Sequence, residues 1–287
     1  MATLRDIRRR ITSVKNTRQI TSAMRMVSAA KLNRAQLAVR RAQPYADHLM
    51  AAVRNLSYGL TGEDHPFFTV AENGKTLVLL FTSDRGLCGG FNSNLNKFLL
   101  RHLADEARFP RAELIVIGRV GNDYFKRRGV SIGEAVVQAR DVEKAQKIRA
   151  VCGDMPERFL TGEVGRVYLA YNRFVNPMRQ DPTLVQLLPT TAPPERRGSA
   201  YESRETLFEP SRAQVLREML PRYLENQLFQ ALLNTDAGEH GARMVAMEGA
   251  TKNAGKMIDS LTLQYNRARQ AGITKELIEI VNGAQSL

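Results

Sequence analysis

Residues 238–258 read GEHGARMVAMEGATKNAGKMI and lie in the middle of a long segment that contains no proline after Pro221. Small residues recur here at a spacing of four, with two more glycines among them: Gly238, Gly241, Ala242, Ala246, Gly249, Ala250 and Ala254. A glycine inside a helix costs about 1 kcal/mol relative to alanine, so repeated glycines indicate that a second backbone packs closely. We call these seven residues the small-residue seam, and they predict a helix paired with another helix. The alternative is that the glycines break the segment into shorter helices.

The helical pattern extends to both sides of the seam. Ser211 is a suitable N-cap, and Pro221 predicts a kink in the early turns. We therefore expect one C-terminal coiled-coil helix over residues 211–287 and a linker over residues 198–210 in front of it.

The N-terminal segment has the matching pattern. Residues 1–43 contain neither proline nor glycine, which favours one long helix. Pro44 predicts a kink, and the helix is expected to end near residue 58. The small residues 28–30 match the seam, so we expect the two terminal helices to form an antiparallel coiled coil. Apolar residues at the 3-4-3 spacing of a coiled coil open the segment: Leu4, Ile7, Ile11 and Val14.

Positive charge is concentrated at the N-terminus. The chain has a formal net charge of +13, and residues 1–41 carry eleven Lys and Arg residues against the single acid Asp6. Such a segment requires an acidic partner, which could be nucleic acid, anionic lipid or an acidic protein surface; a merely solvated helix face is the alternative. Five of the basic residues form what we call the basic collar: Arg8, Arg9, Arg10, Lys15 and Arg18.

Residues 67–197 have a different pattern, in which apolar strands alternate with helices. We expect strands over 76–82, 114–117, 167–171 and 184–188, and helices over 94–106, 120–128 and 142–159. This alternation predicts a Rossmann-like α/β domain with a mainly parallel sheet. The expected fold is therefore an α/β domain inserted between the two helices of a coiled coil.

No catalytic, cofactor-binding or metal-ligating residue set is recognisable. The four histidines lack metal-ligand spacing, and Cys88 has no nearby histidine in sequence to activate it. Two glycine-containing turns, SDRGLCGGFN at 83–92 and GRVG at 118–121, follow expected strands, where phosphate-binding loops lie. Both lack a complete phosphate-binding fingerprint, so we expect structural turns. The longest apolar run is too short to cross a bilayer, and no signal peptide is expected.

Together these segments resemble one family, the γ subunits of F-type ATP synthases, over nearly the whole chain. The motifs that carry the resemblance are IRRRITSVKNTRQITSAMRMVSAAK at 7–31, SDRGLCGGFNSNL at 83–95, ARMVAMEGATKNAGKMI at 242–258 and LTLQYNRARQAGITKELIEIVNGA at 261–284.

The resemblance implies a non-catalytic rotor, present once per complex, inside a ring of three α and three β subunits. It implies that ion flow through a membrane c ring is coupled to ATP synthesis, and that the α/β domain meets the ε subunit and the c ring. The implied location is the cytoplasmic face of the bacterial inner membrane, as a peripheral protein.

The resemblance also implies roles for individual residues. Met24 and Arg243 match the residues that form torque contacts with an acidic loop of the β subunit in this family. The negative charge of that loop complements the basic collar. Contacts with the β catch loops are implied for Arg269, Gln270 and Thr274. Phe208 and Glu209 correspond to part of the foot that meets ε and the c ring.

Two other functions fit parts of the pattern. A nucleic-acid-binding protein could use the basic N-terminal helix, but the chain has no Trp and few aromatic residues for stacking. A coiled-coil scaffold would keep large apolar residues along its whole seam instead of glycines.

Overall fold

The computed structural model describes residues 3–57, 67, 69, 71, 74–139, 141–190, 209 and 211–285. The chain divides into two compact units, one formed by Met1–Ala30 with Arg243–Leu287 and the other by Lys31–Ala242. Each unit is described separately.

Ten helices and strands are defined in the described part of the chain. In chain order they are α1 Leu4–Ser57, β1 Lys75–Phe81, α2 Phe91–Leu103, β2 Glu113–Ile117, α3 Arg119–Lys126, β3 Ile132–Val136, α4 Asp141–Leu160, β4 Val164–Asn176, β5 Arg179–Leu188 and α5 Arg212–Gln285. Both α1 and α5 continue past an internal proline, Pro44 and Pro221 respectively. Of the expected linker over 198–210, only Glu209 lies among the described residues.

The second unit is built on a five-stranded sheet in the order β3-β2-β1-β4-β5. β1 pairs in parallel with β2 and β4, and β2 pairs in parallel with β3. β5 returns antiparallel to β4. The expected α/β domain with a mainly parallel sheet is therefore confirmed. β3 was not predicted, because its sequence, IGEAV, alternates and its residues are at most half-buried at the edge of the sheet.

Helices cover both faces of this sheet. β1 is an apolar run, as expected for a central strand that is buried on both sides. Its Val78 and Leu80 pack against α2 and α3, in a cluster that includes Leu95, Leu99 and Phe125. Its alternate residues pack on the opposite face, where they meet α4 and the first half of α5. The residues on that face of β1 are Leu77, Leu79 and Phe81.

The first half of α5 therefore belongs to the α/β core, which corrects the prediction of a coiled-coil helix over its whole length. Leu220, Leu224 and Leu228 lie in the same buried cluster as the sheet residues. One turn earlier, Leu216 packs with Val53 and Leu56 at the end of α1. A row of leucines at four-residue spacing thus buries one side of α5 before the seam begins.

In the first unit, one face of α1 pairs with α5. The residues buried on α1 are seven or fourteen positions apart, at Ile7, Thr21 and Ser28, as in a heptad pattern. The Thr251 hydroxyl lies 2.8 Å from the Thr21 hydroxyl. On α5, burial recurs at heptad-like spacing, at Met247, Ala254 and Ile258.

The small-residue seam does not form one interface, contrary to the prediction. With 3.6 residues per turn, each four-residue step rotates by about 40° around the helix, so a row of five positions cannot stay on one face. Gly238 packs against Phe91, and Gly241 packs against Pro177 of the β4–β5 turn. Gly249 is exposed and has no atom near its missing side chain. Only Ala254 is buried on the same face as Met247 and Ile258, while Ala242, Ala246 and Ala250 are half-buried.

Two of these glycines provide a matched pair for a stability measurement. A Cβ atom at Gly238 would lie 2.7 Å from Cε2 of the buried Phe91 ring, whereas a Cβ at Gly249 would meet nothing within 4 Å. We expect Gly249→Ala to raise the free energy of unfolding by up to about 1 kcal/mol through helix propensity. The free energy of unfolding of Gly238→Ala should be lower than that of Gly249→Ala by about 1–3 kcal/mol, because the new methyl group overpacks the core. Denaturant unfolding of both variants measures the difference, and equal values would contradict the packing of Gly238 on Phe91.

Candidate functional site

The loop that follows β1 is a closed structural turn. The Ser83 N–H donates a hydrogen bond to Oδ1 of Asn92 at 3.0 Å, and the Asn92 side-chain amide donates to the Ser83 hydroxyl at 2.7 Å. Leu87 and Gly89 both have positive φ angles, of 62° and 58°, so the chain reverses tightly between them. The polar side chains of Ser83 and Asn92 thus bind each other.

Asp84 connects this turn to the loops that follow β2 and β3. Its Oδ1 accepts the N–H of Arg119 at 3.0 Å and the N–H of Gln138 at 2.8 Å. Its Oδ2 lies 3.0 Å from the Lys144 ammonium of α4, and both side chains are largely covered. One carboxylate therefore holds together loops from three strands and a helix of the α/β domain.

The ionisation of this pair follows from its surroundings. Burial opposes the charge on Asp84, but hydrogen bonds from Gln138, Lys144 and Arg119 outweigh it and hold the pKa of Asp84 below its ordinary value. Burial likewise opposes the charge on Lys144, but its contact with Asp84 raises the pKa of Lys144 above its ordinary value. Both groups are therefore charged over a wide pH range.

The described residues contain no group of three or more histidine, cysteine, aspartate or glutamate side chains arranged to hold a metal ion. Cys88 and Cys152 are buried and form no disulfide. Burial, and to a lesser extent the charge of Glu225, raises the pKa of the Cys152 thiol to about 12, so this thiol is not activated as a nucleophile. Over the described residues, no helix combines the length and the hydropathy of a membrane span.

The helix pair carries the other candidate residues, and the whole basic collar is exposed. The five side chains lie on the solvent-facing sides of α1, around the buried Ile7. The Thr3 hydroxyl donates a hydrogen bond to the Asp6 carboxylate at 2.8 Å, and this bond is the main cause that lowers the pKa of Asp6. The collar therefore presents a dense positive surface for an acidic partner.

The predicted torque contacts fall into two groups. Arg269, Gln270 and Thr274 are exposed on α5, and the Thr274 hydroxyl donates to the Gln270 carbonyl of its own helix at 3.0 Å. Met24 is half-buried, and Arg243 is only 8% exposed. Most of the Arg243 side chain is thus covered within this chain, which leaves little of it for a partner protein.

The same helix pair also exposes several large apolar side chains. These side chains are between 50% and 61% exposed: Ile20, Met26 and Val27 on α1, and Met257, Leu263, Ile273, Leu277 and Ile278 on α5. We call them the apolar helix surface. Large exposed apolar side chains are candidates for protein contacts, and Ile20 and Val27 belong to an apolar stripe that is visible in the sequence of α1.

The expected foot residues are Phe208 and Glu209. Glu209 is exposed, and Phe208 lies outside the described residues.

Comparison with known proteins gives a family for the whole chain. A family model described as ATP synthase matches residues 3–287. The chain is 48% identical over 289 residues to an ATP synthase gamma chain of Pelotomaculum thermopropionicum, with 100% of each chain covered. It is 47% identical over 291 residues to an ATP synthase gamma chain of an Anaeromyxobacter species, again with 100% of each covered.

Solved structures agree with this fold. The chain is similar to a chain of the Euglena gracilis mitochondrial ATP synthase rotor, with a TM-score of 0.65, 19% identity and coverage of 94% and 98% of the two chains. It is also similar to a chain of the Tetrahymena thermophila mitochondrial ATP synthase central stalk and c ring, with a TM-score of 0.59, 23% identity and coverage of 80% and 99%.

The Asp84 contact predicts a specific pH dependence of stability. Because the folded-state pKa of Asp84 is lowered, its stabilisation is fully present above the ordinary value of 3.8 and is lost as the pH falls through the folded-state value. Asp84→Asn should therefore be less stable than the parent at pH 7 and should lose less stability on acidification. Urea unfolding over a pH series measures both slopes.

The exposed Asp154 of α4 supplies the control, as Asp154→Asn. This variant removes the same charge without touching the contacts of Asp84. If the stability of Asp84→Asn falls on acidification as steeply as that of the parent protein, the contacts of the Asp84 carboxylate contribute no net stability.

Proposed function

The chain belongs to the family of ATP synthase γ chains, and from this premise we propose how its surfaces serve a rotary motor. It is a non-catalytic subunit of the ATP synthase, and its partners are the α, β and ε subunits and the membrane c ring. The single observation that supports the rotor role most strongly is the helix pair, which exposes a basic collar and an apolar helix surface on one unit.

Both surfaces fit a protein ring better than any other partner. The basic collar attracts acidic side chains at long range, and the apolar helix surface gains from being covered but offers no charge to a nucleic acid. One copy of the chain inside three α and three β subunits would bury both. Membership of the family also argues against a nucleic-acid-binding protein and an unrelated scaffold.

The chain is part of a membrane-associated complex. We place it more finely at the cytoplasmic face of the bacterial inner membrane, as a peripheral subunit whose α/β domain meets ε and the c ring. Phe208 and Glu209 are proposed as foot residues on the basis of the family resemblance.

For torque, we propose direct contacts by Met24 and by the exposed Arg269, Gln270 and Thr274. Met24 is flexible and apolar, so it can adapt to a partner surface that slides past it. Arg243 is covered within the chain, so we propose that it mainly positions the helix pair and acts on the partner through it.

Assembly with a catalytic ring tests the function directly. The full chain should co-purify with an α3β3 hexamer in buffer of high ionic strength, because apolar burial persists when charge is screened. The isolated chain should neither bind nor hydrolyse ATP, as isothermal titration and a phosphate-release assay measure. Micromolar ATP binding by the isolated chain, or complete loss of the hexamer at moderate salt, would contradict the proposal.

Two methionines on the same helix test the torque contact. Met24→Lys places a cation beside acidic β side chains, and the new ion pair favours one rotary position by an estimated 1–3 kcal/mol. We expect the assembled enzyme to pump fewer protons per ATP hydrolysed, measured in membrane vesicles, with a second change among residues 269–274 able to restore coupling.

Met50→Lys is the matched control, because Met50 is 39% exposed on the same helix α1 and belongs to none of the proposed contact surfaces. It should change coupling much less. If both variants pump the same number of protons per ATP hydrolysed, or if the Met24→Lys chain fails to assemble, Met24 is not part of the torque contact.

A further inference from the structure

We propose that the Asp84 carboxylate is an internal anion that fills an oxyanion site at the carboxyl edge of the sheet and so closes the α/β domain to phosphate-like ligands. This role is independent of the rotor function.

The fold brings the donors of this site together. β1, β2 and β3 are parallel, so the loops after them meet at one edge, which is where parallel α/β sheets bind their ligands. Asp84 follows β1, Arg119 is the first residue of α3 after β2, and Gln138 follows β3. The backbone N–H groups of Arg119 and Gln138 both point at Oδ1 of Asp84.

The chemistry of the donors is that of an oxyanion site. The Arg119 N–H lies at a helix N-terminus, which carries partial positive charge. The Lys144 ammonium adds a full charge 3.0 Å from Oδ2, with only 13% of its side chain exposed, and Asp236 and Glu239 of α5 also lie near this ammonium. Backbone N–H groups together with a cation bind phosphate and sulfate in such loops. Here the same donors bind the Asp84 carboxylate instead.

Contacts that do not involve the carboxylate hold these loops in place. The Gly118 N–H donates to the Val136 carbonyl at 2.9 Å, and the Val120 N–H donates to the Ser83 carbonyl at 3.1 Å. The Gly121 N–H also donates to the Thr82 hydroxyl, at 3.0 Å. The donors should therefore keep their positions when the Asp84 carboxylate is removed.

Glycine at position 118 is required for this arrangement. Its φ is 112°, and a Cβ there would lie 2.1 Å from the Thr82 carbonyl oxygen. Only glycine lets the backbone approach so closely. The edge thus has the tight backbone approach of an anion-binding turn, although its sequence lacks the phosphate-binding fingerprint.

Removal of the carboxylate tests the inference. In the full-length Asp84→Ala chain, we expect inorganic phosphate to shift the amide NMR signals of Arg119 and Gln138 and to bind at least about tenfold more tightly than in the parent, since charge-assisted hydrogen bonds become available to it. The readout must be local, because a chain with a net charge of +13 also collects phosphate elsewhere.

Two controls separate a built site from general charge. Asp154→Ala makes the same change in net charge on the exposed side of α4 and should behave like the parent. The double variant Asp84→Ala/Lys144→Gln should lose the phosphate response of Asp84→Ala. A folded Asp84→Ala chain whose Arg119 and Gln138 signals do not respond overturns the proposal, as does a double variant that responds equally.

If Asp84→Ala fails to fold in phosphate-free buffer, Asp84→Ser and the addition of phosphate decide the question. Phosphate should then restore the folded state of Asp84→Ala or raise the unfolding midpoint of Asp84→Ser relative to the same ionic strength of chloride. If phosphate does neither, the proposal is wrong.

Discussion

The burial of one side of α5 against two different surfaces is the constraint on which both units depend. Between Leu220 and Leu232 this helix covers the sheet, and from Met247 to Ile258 it pairs with α1. A buried leucine contributes roughly 1.5–3 kcal/mol, so the leucine row outweighs the single Thr21–Thr251 contact, which contributes about 0.5–1.5 kcal/mol. The leucines therefore provide the stability, and the hydroxyl pair can at most select the register of the two helices.

The small residues of α5 have different meanings at different positions. Gly238 and Gly241 allow the helix backbone to approach the α/β domain closely, next to Phe91 and Pro177. Gly249 touches nothing and only lowers helix propensity. A list of small residues at a regular spacing therefore predicts close packing somewhere along a helix, but the rotation of the helix decides which partner each residue meets.

Sequence patterns were sufficient for the elements with strong periodicity or continuous apolar runs. The terminal helices, the central strands β1 and β2 and the inserted α/β domain all follow from such patterns. They failed at β3, whose residues are at most half-buried. They also failed at Asp84, because its donors come from positions 119, 138 and 144, which are distant in sequence. The motif around Asp84 was visible, but its anionic role depends on sheet order, which local sequence does not contain.

The polar edge of the sheet and the exposed side chains of the helix pair differ in how their groups are satisfied. At the sheet edge, Ser83, Asn92 and Asp84 use their polar groups on one another and on neighbouring loops, so the donors that a ligand would use are already taken. On the helix pair, large apolar side chains such as Ile20 and Leu263 remain 61% exposed beside positive charge. An exposed apolar group is unfavourable in water, and a covering protein partner relieves it. The polar groups around Asp84 are thus satisfied within the chain, whereas the exposed apolar groups of the helix pair are those that we propose a partner covers.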